Sequence, residues 1–465
     1  MRMDKELHQQ NGDGQVRQGD TARQEDSGTA ERFSRSGFIF AAIGSSVGLG
    51  NMWKFPYITG QYGGAAFFLL FTICLLLIGL PVLMAELTVG RGGRGSASSS
   101  LVRLSGRKIW GGFGVLSIAG AFFITSFYTV VAGWTLHYAV LTSANALGKG
   151  TDFAATFFSF IGGWWPVAWQ AAVMLITGWI VVRGASGIEK FNRILIPALL
   201  VILIIIMIRV LQLPGASEGV SFFLKPDFGK LTNESLLVAL GHAFFSLSLG
   251  MGTMMTYGAY VDRRQSLGAA TLAVGGGDLM YALLAGMIIF PTTFAFGIEP
   301  AQGPGLAFIG LPAAFSAMPL GWLFGGLFFV LLAIAALTSV VSLLEVPVAY
   351  AMERWRLSRS TATVSTTVLC FLFGLPSALS VGGAVGWLHW EGKSFFDWVD
   401  FIASNIILPL GGLMVTLFVG YAWKHAAQEA GLTAGWFRLW LFLLRYVAPV
   451  LIVLVFLHTS GIWSF

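Results

Sequence analysis

The sequence predicts an all-α polytopic membrane protein: two five-helix repeats, each opening on a broken helix, and then an eleventh helix. Three observations carry that prediction. Hydrophobic residues make up 56% of the 465 and charged ones 11%, where an average soluble protein carries about 25% charged. Apolar runs of about 20 residues, the length that crosses a bilayer as a helix, recur along almost the whole chain. Glycine, serine and asparagine cluster inside two of those runs, at 43–56 (IGSSVGLGNMWKFP) and 242–260 (HAFFSLSLGMGTMMTYGAY).

Taken in order, residues 1–30 are polar and lack the apolar core of a cleaved signal peptide, so they read as a disordered cytoplasmic tail. Helices are expected at 36–60, 64–90, 111–143, 164–183 and 190–212, the first repeat occupying 31–212. Gly44, Gly48 and Gly50 interrupt the first helix, each costing about 1 kcal/mol relative to alanine in a helix interior. The segment 213–233, with Pro214, Pro226 and several charges, reads as an outer loop. Helices at 234–258, 268–298, 320–353, 360–381 and 397–424 form the second repeat, 234–424, and Gly250 and Gly252 interrupt its first helix around Met251. The proline-rich stretch 299–319 is long enough to hold short helices over an outer vestibule. A helix at 434–460, within 425–465, completes eleven and places the C-terminus outside.

Orientation follows from charge. Arg91, Arg94, Arg103, Arg107 and Lys108, then Arg183, Lys190 and Arg193, then Arg263 and Arg264, then Arg354, Arg356 and Arg359, and Lys424 and Arg438 crowd alternate loops. The loops between them hold Lys149, Lys225, Lys230 and Lys393. This is the positive-inside asymmetry, with a cytoplasmic N-terminus. The net charge of +6 is therefore a topology signal and not a nucleic-acid footprint. Cys74 and Cys370 lie in apolar runs and read as core packing.

A helix broken in lipid frees N–H and C=O groups that only a cavity or a ligand satisfies. Glycine-interrupted helices in corresponding places of two halves point to a transporter with substrate held at mid-membrane. Close helix packing is the plainer use of the same glycines, but the serines and asparagine beside them favour binding. The sequence shows no His, Cys and acid cluster at metal-ligand spacing. Its GxG pieces lie inside apolar helices and not after a strand, which argues against an enzyme or a nucleotide site.

The stretches GSSVGLGNMWKFP, GQYGGAAFF, GLPVLMAELTVGR, FFSLSLGMG and ALTS resemble the neurotransmitter:sodium symporter family, and the likeness runs from about 31 to 460. The resemblance implies the LeuT-like five-plus-five fold of the bacterial leucine transporter. It also implies sodium-coupled uptake of amino acids or amines by alternating access across the cell inner membrane. Many members have twelve helices and some bacterial ones eleven. By matching, a first sodium would be held by Ser46, Asn51, Ser246, Asp278 and the substrate carboxylate. A second would be held by the carbonyls of Gly44 and Val47 with Ala335, Thr338 and Ser339. Oxygen-rich, weakly charged sites of this kind suit a hard cation.

Asp278 stands where most members carry asparagine, and a carboxylate inside the bilayer is costly enough to demand a role. Either it ligates sodium and supplies the charge that chloride brings in other members, so that no chloride is required, or it is protonated and bonded to a neighbour. Ala282, where chloride-dependent members carry serine, agrees with the first. Glu86 is expected to support the helix 6 break. His242 is either a titratable group near the first sodium or a core histidine with satisfied hydrogen bonds.

For substrate, the N–H groups of Leu49 and Gly50 and the Tyr128 hydroxyl would meet a carboxylate. Carbonyls around Ser45, Ser46 and Phe245 and the Ser248 hydroxyl would meet an amine. Gly48 stands where amine transporters place aspartate, which favours an amino acid. The side-chain pocket, Ile124, Phe245, Met251, Ser342 and Leu343 beside Gly250, is apolar and implies hydrophobic or aromatic L-amino acids. Phe245 and Tyr128 would form a lid and Lys54 with Asp400 an outer ion pair. Tyr260 and Glu353 would form the inner gate, with Arg32, Phe33 and Arg35 as candidate partners. Two other readings stay open: an amino-acid sensor that does not transport, and a sodium symporter for an osmolyte or small amine. Oligomeric state is not legible.

Overall fold

A computed structural model describes residues 32–148, 150–299 and 305–460. The expected tail at 1–30 and the loop residue Lys149 lie outside the described residues. Helix 1 begins at Arg35, capped by Ser34, whose hydroxyl accepts from Gly37 N–H at 3.1 Å. Glu189 on helix 5 fixes that cap by accepting from Ser34 N–H at 2.9 Å. The end where helix 1 enters is the near face, and the opposite end is the far face.

The first half of helix 1, Arg35–Ser46, stops at Val47, and the chain resumes as a π turn at Gly50–Lys54 and a helix at Phe55–Gln61. Gly48 in the gap has no room for a side chain: a Cβ there would collide with Ser339 Oγ and stand 3.0 Å from Tyr128 Oη. Helix 6 breaks over more residues, between Asn233–Ser246 and Thr253–Ala259. Ser248, Gly250 and Gly252 there have φ of 55°, 80° and 75°, a left-handed region that glycine enters without strain. A Cβ on Gly411 of helix 10 would collide with the Gly250 carbonyl, so the break packs backbone against backbone.

Around these two run helix 2 (Ala65–Gly93), helix 3 (Ile109–Ser143), helix 4 (Trp165–Val181) and helix 5 (Gly184–Val210). After helix 6 come helix 7 (Leu267–Ala295), helix 8 (Gly321–Trp355), helix 9 (Arg359–Ser380), helix 10 (Phe395–Ala422) and helix 11 (Ala434–Thr459). Among the described residues eight helices are long and apolar enough to cross a membrane, and helix 4 with its bent partner Phe153–Ile161 makes nine. The two broken helices bring the crossings to eleven. Within the most apolar window of each, 83% of helix 8 and 72% of helix 3 is buried, against 28% for helices 5 and 11. Helices 3 and 8 are therefore the central posts, and helices 5 and 11 face lipid.

The loops hold more structure than expected. Short helices at Ala97–Ser105, Phe153–Ile161, Ala216–Leu224 and Ala426–Ala430 fall in stretches read as plain connections. The 299–319 stretch is helical at Leu306–Ala317, as its length suggested. Cys74 and Cys370 are both buried and free.

What holds the helix 6 break is Glu86 of helix 2. It is fully buried, and its Oε1 accepts from Gly250 N–H at 2.7 Å. Glu86→Ala is therefore expected to lower stability by about 1–3 kcal/mol, the cost of leaving a buried donor unpaired. Glu86→Gln, which keeps an acceptor oxygen, is expected to lose less. Melting of the detergent-solubilised protein reads this, and equal losses in the two variants would show that Glu86 serves something other than this N–H.

Candidate functional site

Between the two breaks lies a small cavity of about 20 Å³. Ser45, Ser46, Gly48 and Gly50 bring the helix 1 gap to it, and Ile124 and Tyr128 come from helix 3. Phe245, Ser246, Ser248 and Met251 come from helix 6, and Ser339 and Leu343 from helix 8. Three residues expected in the pocket are used elsewhere. Leu49 N–H donates to Tyr128 Oη at 2.9 Å, Gly250 N–H to Glu86, and Ser342 Oγ to Ser45 Oγ at 2.8 Å. The Tyr128 contact has a chemical consequence. Its oxygen already accepts a bond, so the hydroxyl proton is free to be donated into the cavity.

The polar rim of the cavity is a seam of hydroxyls. Ser248 Oγ donates to Ser45 O at 2.9 Å, and Ser339 Oγ reaches the same carbonyl at 3.4 Å. The helix 1 and helix 6 breaks are thus tied to each other and to helix 8 by neutral groups. None of the residues lining the cavity is ionisable as a carboxylate or an amine.

Directly behind it sits a buried acid. Asp278 on helix 7 accepts at Oδ1 from Ser246 Oγ (2.6 Å) and Asn51 Nδ2 (2.9 Å), while Nδ2 also reaches Asp278 O (3.1 Å). Asn51 Oδ1 lies 3.0 Å from Ser246 Oγ. Asp278 Oδ2 is buried with no protein partner. A bare carboxylate oxygen beside an amide oxygen and a hydroxyl is a donor set that fits a hard cation. The Ser46 hydroxyl donates back to Ala42 O at 3.1 Å, which commits its proton and not its oxygen. At the second expected site, Thr338 and Ser339 hydroxyls bond back to Ala335 O at 3.0 and 3.3 Å. Gly44 and Val47 lie at the end of the first half of helix 1, where Ser339 Oγ reaches the intervening Ser45 O at 3.4 Å. Asn192 of helix 5, not foreseen, places a buried and unpartnered Oδ1 against Gly44.

The expected ion pair of Lys54 and Asp400 is not made. Among the described residues Lys54 has no carboxylate partner; its Nζ sits 5.1 Å from the Phe245 ring centroid. Asp400 Oδ1 accepts instead from Ser404 Oγ at 2.7 Å. A π turn at Phe401–Ile407 begins directly after Asp400, and Lys54 lines a second, far-side cavity between helices 1, 6, 10 and 11. Phe245 lines both cavities and is the partition between them. His242 is buried with neither ring nitrogen bonded to protein, its ring 5.1 Å from Phe71 and 5.7 Å from Phe55. His242 also lines the far-side cavity.

At the near face Tyr260 and Glu353 line one wide cavity without meeting. Tyr260 Oη donates to Glu345, which pairs with Arg359. Glu353 accepts from Ser96 N–H (2.8 Å) and Ser99 Oγ (2.7 Å). Glu345 wins because it stands higher on helix 8, level with the tyrosine hydroxyl. Phe33 packs edge-on to Tyr257 (5.3 Å) and Tyr260 (5.6 Å), and its N–H donates to Tyr260 O at 3.1 Å. Arg32 faces Asp262 at 3.8 Å. The Arg264 backbone N–H, foremost, and then the surrounding arginines hold the exposed Asp262 carboxyl below its ordinary range. Glu345, Arg359 and Asp262 were missed in sequence. The one available signal was a glutamate inside the apolar run of helix 8.

The sequence profile of the sodium:neurotransmitter symporter family matches residues 31–150 and 158–462. An uncharacterised sodium-dependent transporter of Bacillus subtilis, YhdH, is 39% identical over 93% of this chain and 98% of its own length. One of Haemophilus influenzae is 34% identical over 91% and 96%. The crystal structure of MhsT in complex with L-phenylalanine superposes with a TM-score of 0.86 at 45% identity, covering 92% of this chain and 99% of that one. With a match of that extent over the same broken-helix fold, this chain belongs to the sodium:neurotransmitter symporter family.

Proposed function

We propose that the protein imports hydrophobic or aromatic L-amino acids with two sodium ions, by alternating access across the cell inner membrane, the near face being cytoplasmic and the C-terminus outside. The observation that carries this reading is the central cavity: neutral, apolar on one side, and edged by a tyrosine hydroxyl and the open backbone of helix 1. An amino acid brings its own two charges and needs dipoles of opposite sign at each end. A simple amine would need an acid at position 48, where Gly48 has no space for one. Phe245, Met251, Ile124 and Leu343 supply the apolar side, and the likeness to a protein solved with L-phenylalanine supports the substrate class.

Sodium at the Asp278 cluster would share its shell with the substrate carboxylate, which couples the two bindings. Asp278 keeps the loaded site from accumulating positive charge, and chloride is then not needed. One charge crossing 100 mV contributes roughly 2.3 kcal/mol, so two sodium ions with a zwitterion gain about twice that. Phe245 would swing to join or separate the far and central cavities, and Phe33 with the Glu345–Arg359 pair would hold the near face shut in the meantime.

Uptake of labelled tryptophan, phenylalanine and leucine into proteoliposomes tests the whole reading. Sodium outside is expected to give saturable accumulation and potassium none, with mutual competition among the three. Sodium-dependent binding without accumulation would make the protein a sensor, and competition by betaine or a monoamine alone would make the substrate an osmolyte or amine. Asp278→Asn is expected to raise the sodium concentration for half-maximal uptake about tenfold, or 1.4 kcal/mol, and to render uptake chloride-stimulated. Unchanged sodium affinity in that variant would sink the charge-substitution idea. At the near face, Phe33→Ala empties a packed site at a cost of about 3 kcal/mol, whereas Arg32→Ala removes a half-exposed pair of about 1 kcal/mol or less. Hydrogen exchange over residues 253–262 is therefore expected to quicken far more in the first, and the reverse order would reject the aromatic wedge as the main closure.

A further inference from the structure

Helix 5 reaches the first half of helix 1 with two polar side chains, and each enters through a glycine. A Cβ on Gly37 would collide with Glu189, and a Cβ on Gly44 would collide with Asn192 Oδ1. The first contact is answered, because Glu189 accepts from Ser34 N–H at 2.9 Å. The second is not. Asn192 is fully buried, and its Oδ1 has no partner among the described residues.

The direction of that oxygen is forced by the other end of the amide. Asn192 Nδ2 donates to Ile188 O of its own helix at 2.9 Å. Turning the amide about would set two acceptors, Oδ1 and the Ile188 carbonyl, against each other. The bare oxygen therefore stays against helix 1, at the residue whose carbonyl is expected to hold the second sodium. Across from it on helix 8, the Thr338 and Ser339 hydroxyls give their protons to Ala335 O at 3.0 and 3.3 Å. Their oxygens remain as acceptors. A buried acceptor left without a donor calls for a water or an ion. Neutral carbonyl, hydroxyl and amide oxygens gathered at one place suit a hard cation.

We propose that Asn192 is a further residue of the second sodium site, its Oδ1 turned to the cation directly or through one water. The inference rests on the two-sodium reading above and adds one neutral oxygen to the set of Gly44, Val47, Ala335, Thr338 and Ser339. The cation then joins helix 5 to helices 1 and 8.

Sodium titration of the purified full-length protein in detergent tests this, read as a melting shift against choline with no amino acid present. N192L removes the oxygen at similar volume. In choline it is expected to melt no lower than wild type, because an unpartnered buried oxygen is gone. In sodium it is expected to raise the half-saturating concentration about tenfold, the lower range for residues that support a metal site. N192D adds an opposite charge beside the ion and is expected to lower that concentration about tenfold. It carries the test should N192L not fold. An asparagine that holds only a water would shift melting equally in choline and sodium, with sodium affinity unchanged, and that result overturns the inference while leaving sodium coupling intact. Absence of any wild-type sodium shift, with or without amino acid, would overturn the two-sodium reading as well. The N192L effect is expected to persist in the Asp278→Asn background. Its disappearance there would tie Asn192 to the first site and overturn the assignment to the second.

Discussion

Backbone groups inside a lipid-embedded chain have no water to bond, and this constraint governs where the protein can be irregular. Both breaks are placed where several other helices can answer them. Tyr128 of helix 3 takes Leu49 N–H, Glu86 of helix 2 takes Gly250 N–H, and Ser248 and Ser339 take the Ser45 carbonyl. What those helices do not satisfy faces the central cavity. The central cavity thus lies between two breaks whose backbone groups are partly answered by neighbouring helices.

The two ends of the molecule close by different physics. At the near face an aromatic wedge, Phe33 against Tyr257 and Tyr260, sits over a buried ion pair, Glu345 with Arg359. Breaking either exposes apolar surface or strands a charge, and stranding a buried charge is costly. At the far side one ring, Phe245, stands between the two cavities with a lysine ammonium resting over it. A single rotatable ring with a cation–π contact is a lighter barrier, because the contact is worth about 0.5–2 kcal/mol.

Much of this was legible in the sequence, for reasons specific to membranes. Apolar length fixes the crossings, and the glycines and serines at 44–51 and 246–252 are visible against an apolar background, as are Glu86 and Asp278. Relations between helices were less legible. Lys54 and Asp400 carry complementary charges, yet Lys54 sits over the Phe245 ring and Asp400 accepts from Ser404, partners that charge alone does not announce. Tyr260 met Glu345 and not Glu353 because vertical position along helix 8 decides, and two acids on one helix look alike in a string. The short connecting helices escaped notice because nine residues such as Ala97–Ser105, with four serines, hold too few apolar positions to show a period.

Three buried carboxylates show how environment divides one chemical group into three uses. Glu345 meets a guanidinium, which cancels its charge within the protein in this arrangement. Glu86 meets a backbone donor, so its role is to complete a helix that is not there. Asp278 meets one hydroxyl and one amide donor at Oδ1, and its Oδ2 is buried with no partner among the described residues. Of the three, Asp278 alone bonds a side chain that lines the central cavity, Ser246, so the state of that acid and the contents of the cavity are linked through one hydroxyl.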